Sequence, residues 1–172
     1  SIKVRNQSSR APPSKLSTIF LTFGLRYITD MNAVQENIDL LPYNTFGISA
    51  KATYFIRIST AAQARELFQS DLFKKNRTLI LGGGSNVLLT RDFDGLVVKN
   101  EISGIRTIAE NENTISLQVG AGENWHALVM YCVARDYGGI ENLSLIPGTV
   151  GAAPMQNIGA YGVEIKEVIN TV

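Results

Sequence analysis

Cysteine and histidine are almost absent from this chain, and their scarcity excludes whole classes of site. The 172 residues contain one cysteine, Cys132, and one histidine, His126. A single cysteine excludes an internal disulfide bond and is typical of a reducing compartment. One cysteine and one histidine also fall short of the four ligands that a structural zinc site takes. We therefore expect no metal centre.

Net charge and long apolar runs are also scarce. The formal net charge is +1, which provides no electrostatic attraction for nucleic acid or an anionic membrane. The apolar run Leu16–Ile28 is interrupted by Gly24 and Arg26 and is shorter than the roughly 20 residues of a spanning helix. With 45% hydrophobic and 18% charged residues, the composition is that of a globular chain of one domain or two small lobes.

Residues 1–30 differ in character from the rest of the chain. Basic residues precede the apolar run, as in a secretory signal, but no small-x-small cleavage site follows. Met31 is a candidate natural start. We expect residues 1–30 to be a poorly packed extension, residues 31–100 to form a first lobe and residues 101–172 to form a second lobe.

The most informative stretch is Thr78–Thr90, in which Gly82, Gly83 and Gly84 lie between two apolar runs. Consecutive glycines suit a backbone that takes positive φ or that another group approaches closely. The N–H groups of such a loop can form an anion nest, to which Ser85 and Asn86 add side-chain donors. One interpretation is a cradle for a diphosphate; the alternative is a tight hairpin between two buried strands.

Two common phosphate loops are excluded here. The dinucleotide fingerprint needs a glycine where Val87 stands and a helix after it, and the Walker loop needs a G-K-[ST] sequence that is absent. Val87–Thr90 is apolar and meets a turn signal at Asp92–Gly95, so it predicts a strand. The loop is therefore expected between two strands, without a helix dipole behind it.

Local patterns predict the surrounding elements. Trp125 and Cys132 lie on the apolar stripe of a predicted helix and are expected in the core, whereas His126 lies off the stripe and is expected at the surface or in a supporting role. The predicted elements are a turn at Asn44–Gly47, a strand at 52–58 with Ala52, Tyr54, Ile56 and Ile58 on its buried face, a helix capped by Thr60 and running through Gln69, a strand at 96–98, a hairpin of 105–109 with 115–119, and a helix capped by Asn124 and stopped at Gly138–Gly139.

A second unusual stretch, Glu141–Glu164, is rich in glycine and alanine and contains two prolines. Small residues permit close approach to a flat or extended ligand, and Gln156, Asn157 and Tyr161 offer polar contacts without charge. These properties suit a neutral ring edge and a ribityl chain. The alternative is a long irregular connection, although connections of this length inside compact domains are usually functional.

Four motifs together resemble one family. Asn44–Gly47, Gly82–Asn86, Gly120–Trp125 and Glu141–Glu164 occur in the order and spacing of UDP-N-acetylenolpyruvoylglucosamine reductase (UDP-N-acetylmuramate dehydrogenase), over residues 37–172. The resemblance implies an α+β FAD-binding fold of the vanillyl-alcohol-oxidase (PCMH) type, with FAD between two small lobes. It also implies a cytoplasmic oxidoreductase of peptidoglycan synthesis, and hence of cell wall biogenesis, cell shape and cell division. NADPH would be the hydride donor and a nucleotide sugar the substrate.

The same resemblance implies the FAD site. Gly82–Asn86 would hold the diphosphate, and the second stretch would line the flavin and ribityl part. The residues implied to bind FAD are Gly82, Gly83, Gly84, Ser85, Asn86, Val87, Leu88, Pro147, Gly148, Thr149, Val150, Gly151, Ala152, Ala153, Gln156, Asn157, Gly159, Ala160, Tyr161 and Gly162.

The family's catalytic motifs are not found in these residues. An arginine in an F-G-Y-R-D/E-S-type motif, a serine in a G-S-F-F-K-N-P-type motif and a late glutamate are absent, as is the third, substrate-binding domain. The alternating pattern at Glu167–Val172 predicts a final strand. The resemblance thus implies an FAD-binding part that is inactive alone. The alternatives are another FAD oxidoreductase of the same fold or a cofactor-free structural relic.

Overall fold

The computed structural model describes residues 1–6 and 34–172. Two four-stranded sheets, each with its own helices and apolar core, make up an α+β architecture. The apolar run Leu16–Ile28 and Met31 lie outside the described residues. Within the described ranges, no helix has the length and apolar character needed to cross a membrane.

The first sheet mixes antiparallel and parallel pairs. Its strands are β2 (Gln35–Asp39), β3 (Lys51–Ile58), β4 (Thr78–Leu81) and β5 (Phe93–Asn100), in the spatial order β2-β3-β5-β4. β2 runs antiparallel to β3, whereas β3 and β4 both run parallel to β5. The helices α1 (Ala61–Gln69) and α2 (Asp71–Lys75) connect β3 to β4.

Helix α1 begins where the sequence predicts it. The Thr60 hydroxyl accepts a hydrogen bond from the Gln63 backbone N–H at 3.1 Å. The Gln63 side chain in turn accepts from the Thr60 backbone N–H at 3.2 Å. This reciprocal capping box satisfies two N–H groups that the first helical turn otherwise leaves without partners.

Strand β3 is buried on both faces, and the prediction of one buried face was incomplete. Ala52, Ile56 and Ile58 are buried as predicted, whereas Tyr54 is only partly buried. Phe55, which was predicted on the other face, is fully buried. The pairing with β5 shifts register between Ala52 and Tyr54, so Ala52 and Phe55 belong to the same core cluster. A bulge of this kind reverses the alternation of side chains along the strand.

The second sheet is antiparallel throughout. It contains β1 (Ile2–Asn6), β6 (Ile105–Glu110), β7 (Thr114–Val119) and β8 (Tyr137–Gly138), in the spatial order β6-β7-β1-β8. The β6–β7 hairpin confirms the sequence prediction. Helix α3 (Trp125–Val133) contributes to the apolar core of the same lobe, and the Trp125 indole N–H donates to the Leu143 carbonyl at 2.7 Å.

The N-terminal residues are better packed than the sequence suggests. The expectation that residues 1–30 pack poorly is wrong for residues 1–6, which form strand β1 inside the second sheet. Ile2 and Val4 are buried in the core of that lobe. Alternation of apolar and polar side chains over five residues was the only local signal, and it is too short to identify a strand by itself.

Two other predicted strands are not formed. Val87–Thr90 has no regular secondary structure, and β5 starts at Phe93, inside the predicted turn. Since β4 and β5 run parallel, the connection between them must return to the start of β5, which excludes a tight hairpin. The second missing strand is the one predicted at Glu167–Val172. Residues 168–172 follow a 3₁₀ turn at Ile165–Glu167, and their one β-bridge joins Ile169 to Ile2.

Phe55 tests the two-sided burial of β3. Replacing this fully buried ring with alanine leaves a cavity and removes apolar contacts, so Phe55→Ala should lower the free energy of unfolding by about 3–5 kcal/mol. Urea denaturation of the purified chain measures the change.

The matched control is Phe68, which is 46% exposed at the end of α1. Phe68→Ala should lower the free energy by about 1 kcal/mol or less. Equal losses from the two substitutions would contradict the burial of Phe55.

Cys132 tests the packing of α3. The thiol is completely buried, and desolvation raises its pKa to about 11. Since the thiolate is the reactive form, labelling by an aromatic disulfide reagent at pH 8 should be slow in the native chain and fast in denaturant. A native chain that labels as fast as the unfolded one would show that α3 is not packed as described.

Candidate functional site

The glycine loop leaves the end of β4 and is held through its carbonyl groups. Lys99 lies on β5 opposite Leu81, and its ammonium group donates to the Gly82 carbonyl. The Gly84 carbonyl accepts from the Thr45 backbone N–H at 3.1 Å. The predicted turn at Asn44–Gly47 therefore serves as a brace for the loop.

The backbone amide groups of the loop, unlike its carbonyl groups, do not take part in this bracing. The backbone N–H groups of Gly83, Gly84, Ser85 and Asn86 donate to no residue that the structure describes. Gly83 and Asn86 are exposed. Four successive N–H groups on a braced loop can together bind an anionic or strongly polar ligand.

Two of the glycines are required by close contacts. A Cβ atom on Gly84 would lie 1.9 Å from the Tyr43 carbonyl oxygen, and the residue has φ of 68°. A Cβ atom on Gly82 would lie 2.5 Å from Oγ1 of Thr149. Both distances are shorter than atoms can approach, so the loop keeps its position only without these side chains.

The second glycine-rich stretch meets the first at this point. A Cβ atom on Gly83 would lie 3.1 Å from Cα of Gly148, and one on Gly148 would lie 3.3 Å from Oγ of Ser85. The Asn86 side-chain amide donates to Oε1 of Gln156 at 2.5 Å. The structure thus brings together two segments that the sequence separates by about 60 residues.

The Gly120–Trp125 motif positions the second stretch. The Trp125 N–H donates to the Gly148 carbonyl at 3.1 Å, and the Val150 N–H donates to the Glu123 carbonyl at 2.9 Å. A Cβ atom on Gly151 would lie 2.7 Å from Cβ of Ala121. Sequence reasoning missed this bracing role, for which its only signal was the run of small residues.

Some predicted site residues also serve the fold of the two lobes. Val150 and Ala153 are buried in the apolar core of the second lobe. Val87 packs against the core of the first lobe. Asn157 has left-handed φ at the end of a 3₁₀ turn and bonds to Glu164 and to the Lys166 backbone N–H.

The last predicted residues form a small hairpin. Gly159–Ala160 is β9 and Val163–Glu164 is β10, joined by Tyr161 and Gly162 with φ of 52° and 79°. Positive φ at both turn positions is typical of a type I′ hairpin. Tyr161 is 90% exposed, so the hairpin presents its ring to the outside.

Two charged or titratable residues complete the description. Burial lowers the pKa of Lys99, while the nearby Glu101 carboxylate opposes that shift. Sequence reasoning did not identify this lysine, because only the pairing of β4 with β5 places it beside the loop. His126 accepts the Leu145 backbone N–H at its Nδ1 atom at 3.2 Å, a supporting role. Among the described residues, no cluster of three or more His, Cys, Asp or Glu side chains is arranged to hold a metal ion.

Comparison with known proteins identifies the class to which this architecture belongs. The family model described as FAD binding domain matches residues 52–172. The match includes both glycine-rich stretches and the Gly120–Trp125 brace. The chain belongs to this family of FAD-binding domains.

Several similar curated proteins carry the same name. UDP-N-acetylenolpyruvoylglucosamine reductase of Amoebophilus asiaticus is 53% identical over 138 residues, covering 80% of this chain and 41% of the relative. The reductase of Chromobacterium violaceum is 51% identical over 133 residues, covering 77% of this chain and 39% of the relative. The chain therefore spans about two fifths of the length of these relatives.

A solved structure supports the fold. The crystal structure of UDP-N-acetylenolpyruvylglucosamine reductase from Thermus caldophilus superimposes with a TM-score of 0.57 at 23% identity, covering 74% of this chain and 44% of that one. The α+β FAD-binding fold expected from the sequence is thereby confirmed.

Gly84 tests the close packing of the loop. Gly84→Ala forces positive φ on alanine and also places Cβ against the Tyr43 carbonyl. Positive φ costs about 1–2 kcal/mol and overpacking about 1–3 kcal/mol more, so the free energy of unfolding should fall by about 2–5 kcal/mol in urea denaturation.

Gly47 is the matched control, because its φ is 64° and a Cβ atom there would meet nothing within 4 Å. Gly47→Ala should show only the conformational cost of about 1–2 kcal/mol. If the two variants were equally stable, the contact between Gly84 and Tyr43 would not constrain the loop.

Proposed function

We propose that this chain binds FAD and forms the FAD-binding part of a UDP-N-acetylenolpyruvoylglucosamine reductase. The observation that carries the proposal is the meeting of the two glycine-rich stretches, with Gly83 against Gly148. Residues 82–86 and 147–162 hold the cofactor in this proposal, as the family resemblance implies.

The donors on the first loop fit a diphosphate. The N–H groups of Gly83, Gly84, Ser85 and Asn86 find no acceptor among the described residues. Lys99 adds a positive charge on the strand beside the loop. Backbone donors combined with one cation suit the two negative charges of the FAD diphosphate.

Two exposed apolar side chains are further candidates for contact with the flavin ring. Leu145 is 76% exposed and Met155 is 87% exposed, and both lie in the second glycine-rich stretch. Exposed apolar side chains that form a contiguous surface can mark a ligand site. In the proposed complex the flavin covers part of this surface, and His126 holds the Leu145 backbone in place.

The activity is proposed for the whole reductase rather than for these residues. Bound FAD would supply the transfer of a hydride from NADPH to the enolpyruvyl double bond of UDP-N-acetylglucosamine enolpyruvate, and an acid group of the whole reductase would add a proton to the neighbouring carbon, which yields UDP-N-acetylmuramate. This chain's residues would bind and orient the cofactor. Since the arginine, serine and glutamate motifs of the family do not occur in these 172 residues, we propose that the chain alone does not catalyse the reaction. We also propose a cytoplasmic location.

FAD binding by the purified chain tests the proposal. A visible flavin spectrum should persist after FAD is added and excess removed. Lys99→Met should weaken FAD binding about tenfold in a fluorescence titration, because a charge-assisted contact contributes about 1.5 kcal/mol. Lys74→Met, on the exposed surface of α2, should leave the affinity unchanged.

Three outcomes would count against the proposal or a part of it. A folded chain that retains no flavin at high FAD concentration would contradict the cofactor site, whereas equal affinities of the two lysine variants would contradict only the role of Lys99. Turnover of the enolpyruvyl substrate with NADPH by the chain alone would contradict the assignment of catalysis to other residues.

A further inference from the structure

Strand β1 is hydrogen-bonded along both edges. The Lys3 N–H donates to the Val168 carbonyl at 2.8 Å, and the Asn170 N–H donates to the Ser1 carbonyl at 2.9 Å. Because backbone groups alternate in direction along a strand, the groups of Ile2 and Val4 point the other way, toward their partners on β7. Farther along, Arg5 pairs with Gly138 of β8.

The side chains of β1 alternate between the core and the outside. Ile2 and Val4 are buried in the same cluster as Ile115 and Leu117, their pairing partners on β7. Lys3 and Arg5 are exposed. Strand β1 therefore fills a central position of the sheet, between β7 on one side and β8 on the other, rather than an edge.

This central strand comes from outside the family region. The FAD binding domain matches residues 52–172 and the family resemblance begins at residue 37, so β1 belongs to neither. No strand within the described part of the family region takes the position between β7 and β8. The relatives share the fold and are more than twice as long as the matched region.

We propose that the space between β7 and β8, here named the strand slot, is an acceptor site for an extended segment, and that β1 is an exchangeable occupant of it. The ligand is a short peptide running antiparallel to β7, with branched apolar side chains at alternate positions, as in Ile2 and Val4. Backbone hydrogen bonds on both edges supply affinity, and the two apolar positions supply the register. In the longer relatives, a segment from the unmatched part of the chain takes the same place.

The test uses the full chain with one residue of β1 changed. Val4→Asp places a charge in the core and should expel β1, whereas the matched control Lys3→Asp changes the exposed neighbour. Hydrogen exchange of the Ile115 and Leu117 amides reports on the slot. Val4→Asp should lower their protection at least a hundredfold, and Lys3→Asp should leave it unchanged.

A synthetic peptide with the sequence of residues 1–6 then tests exchange. At millimolar concentration, it should restore the protection of Ile115 and Leu117 in the Val4→Asp chain at least tenfold. The same peptide with aspartate in place of its valine should have no effect. The protection of the unchanged chain should not respond, because its own β1 already fills the slot.

Three results would overturn the proposal. Unchanged protection in the Val4→Asp chain would show that the sheet does not depend on β1. Lost protection that the peptide does not restore would show that β1 is an integral strand rather than an exchangeable one. The milder Val4→Ala chain guards against general unfolding: it should lose part of the protection and regain it with the peptide, and a failure to regain it would also overturn the proposal.

Discussion

The close contact of Gly82 and Gly83 with the Thr149 side chain and the Gly148 backbone is the constraint on which the rest of the structure depends. Side chains on Gly82 or Gly83 would separate the two segments by occupying the space between them. The contact exists because each segment is braced from its own lobe. The first is held by Lys99 and Thr45, and the second by backbone bonds from the residues before α3. Small residues in these loops are therefore a requirement of packing as well as of ligand access.

The parallel pairing of β4 and β5 determines the form of the first loop. A hairpin would pair its own backbone groups across the turn and leave few donors for a ligand. A connection between parallel strands must instead return across the end of the sheet. The loop does so with its carbonyl groups bonded and its amide groups unpaired within the described residues. The same topology places Lys99 beside Gly82, since the two strands are in register there.

The two lobes differ in how they complete their sheets. The first sheet is built from consecutive segments between residues 35 and 100, and the buried residues of its two core clusters all lie within that range. The second sheet has a strand from the beginning of the chain at its centre, so its stability depends on a contact between distant parts of the sequence. The family region thus contains both glycine-rich stretches without containing every strand of the second sheet.

The sequence by itself determined the local elements and the family. Thr60 and Asn124 cap helices through their own side chains, and the 105–119 hairpin follows from two alternating runs around a polar turn; such features depend on neighbours within a few residues. The burial of Trp125 and Cys132 followed from helical spacing in the same way. Only the tertiary structure decided that Phe55 faces the core, that β4 and β5 are parallel, that Lys99 reaches the loop and that β1 lies inside the second sheet. Each of these is set by strand register or strand order, which depends on contacts between residues far apart in the chain and has no local signal.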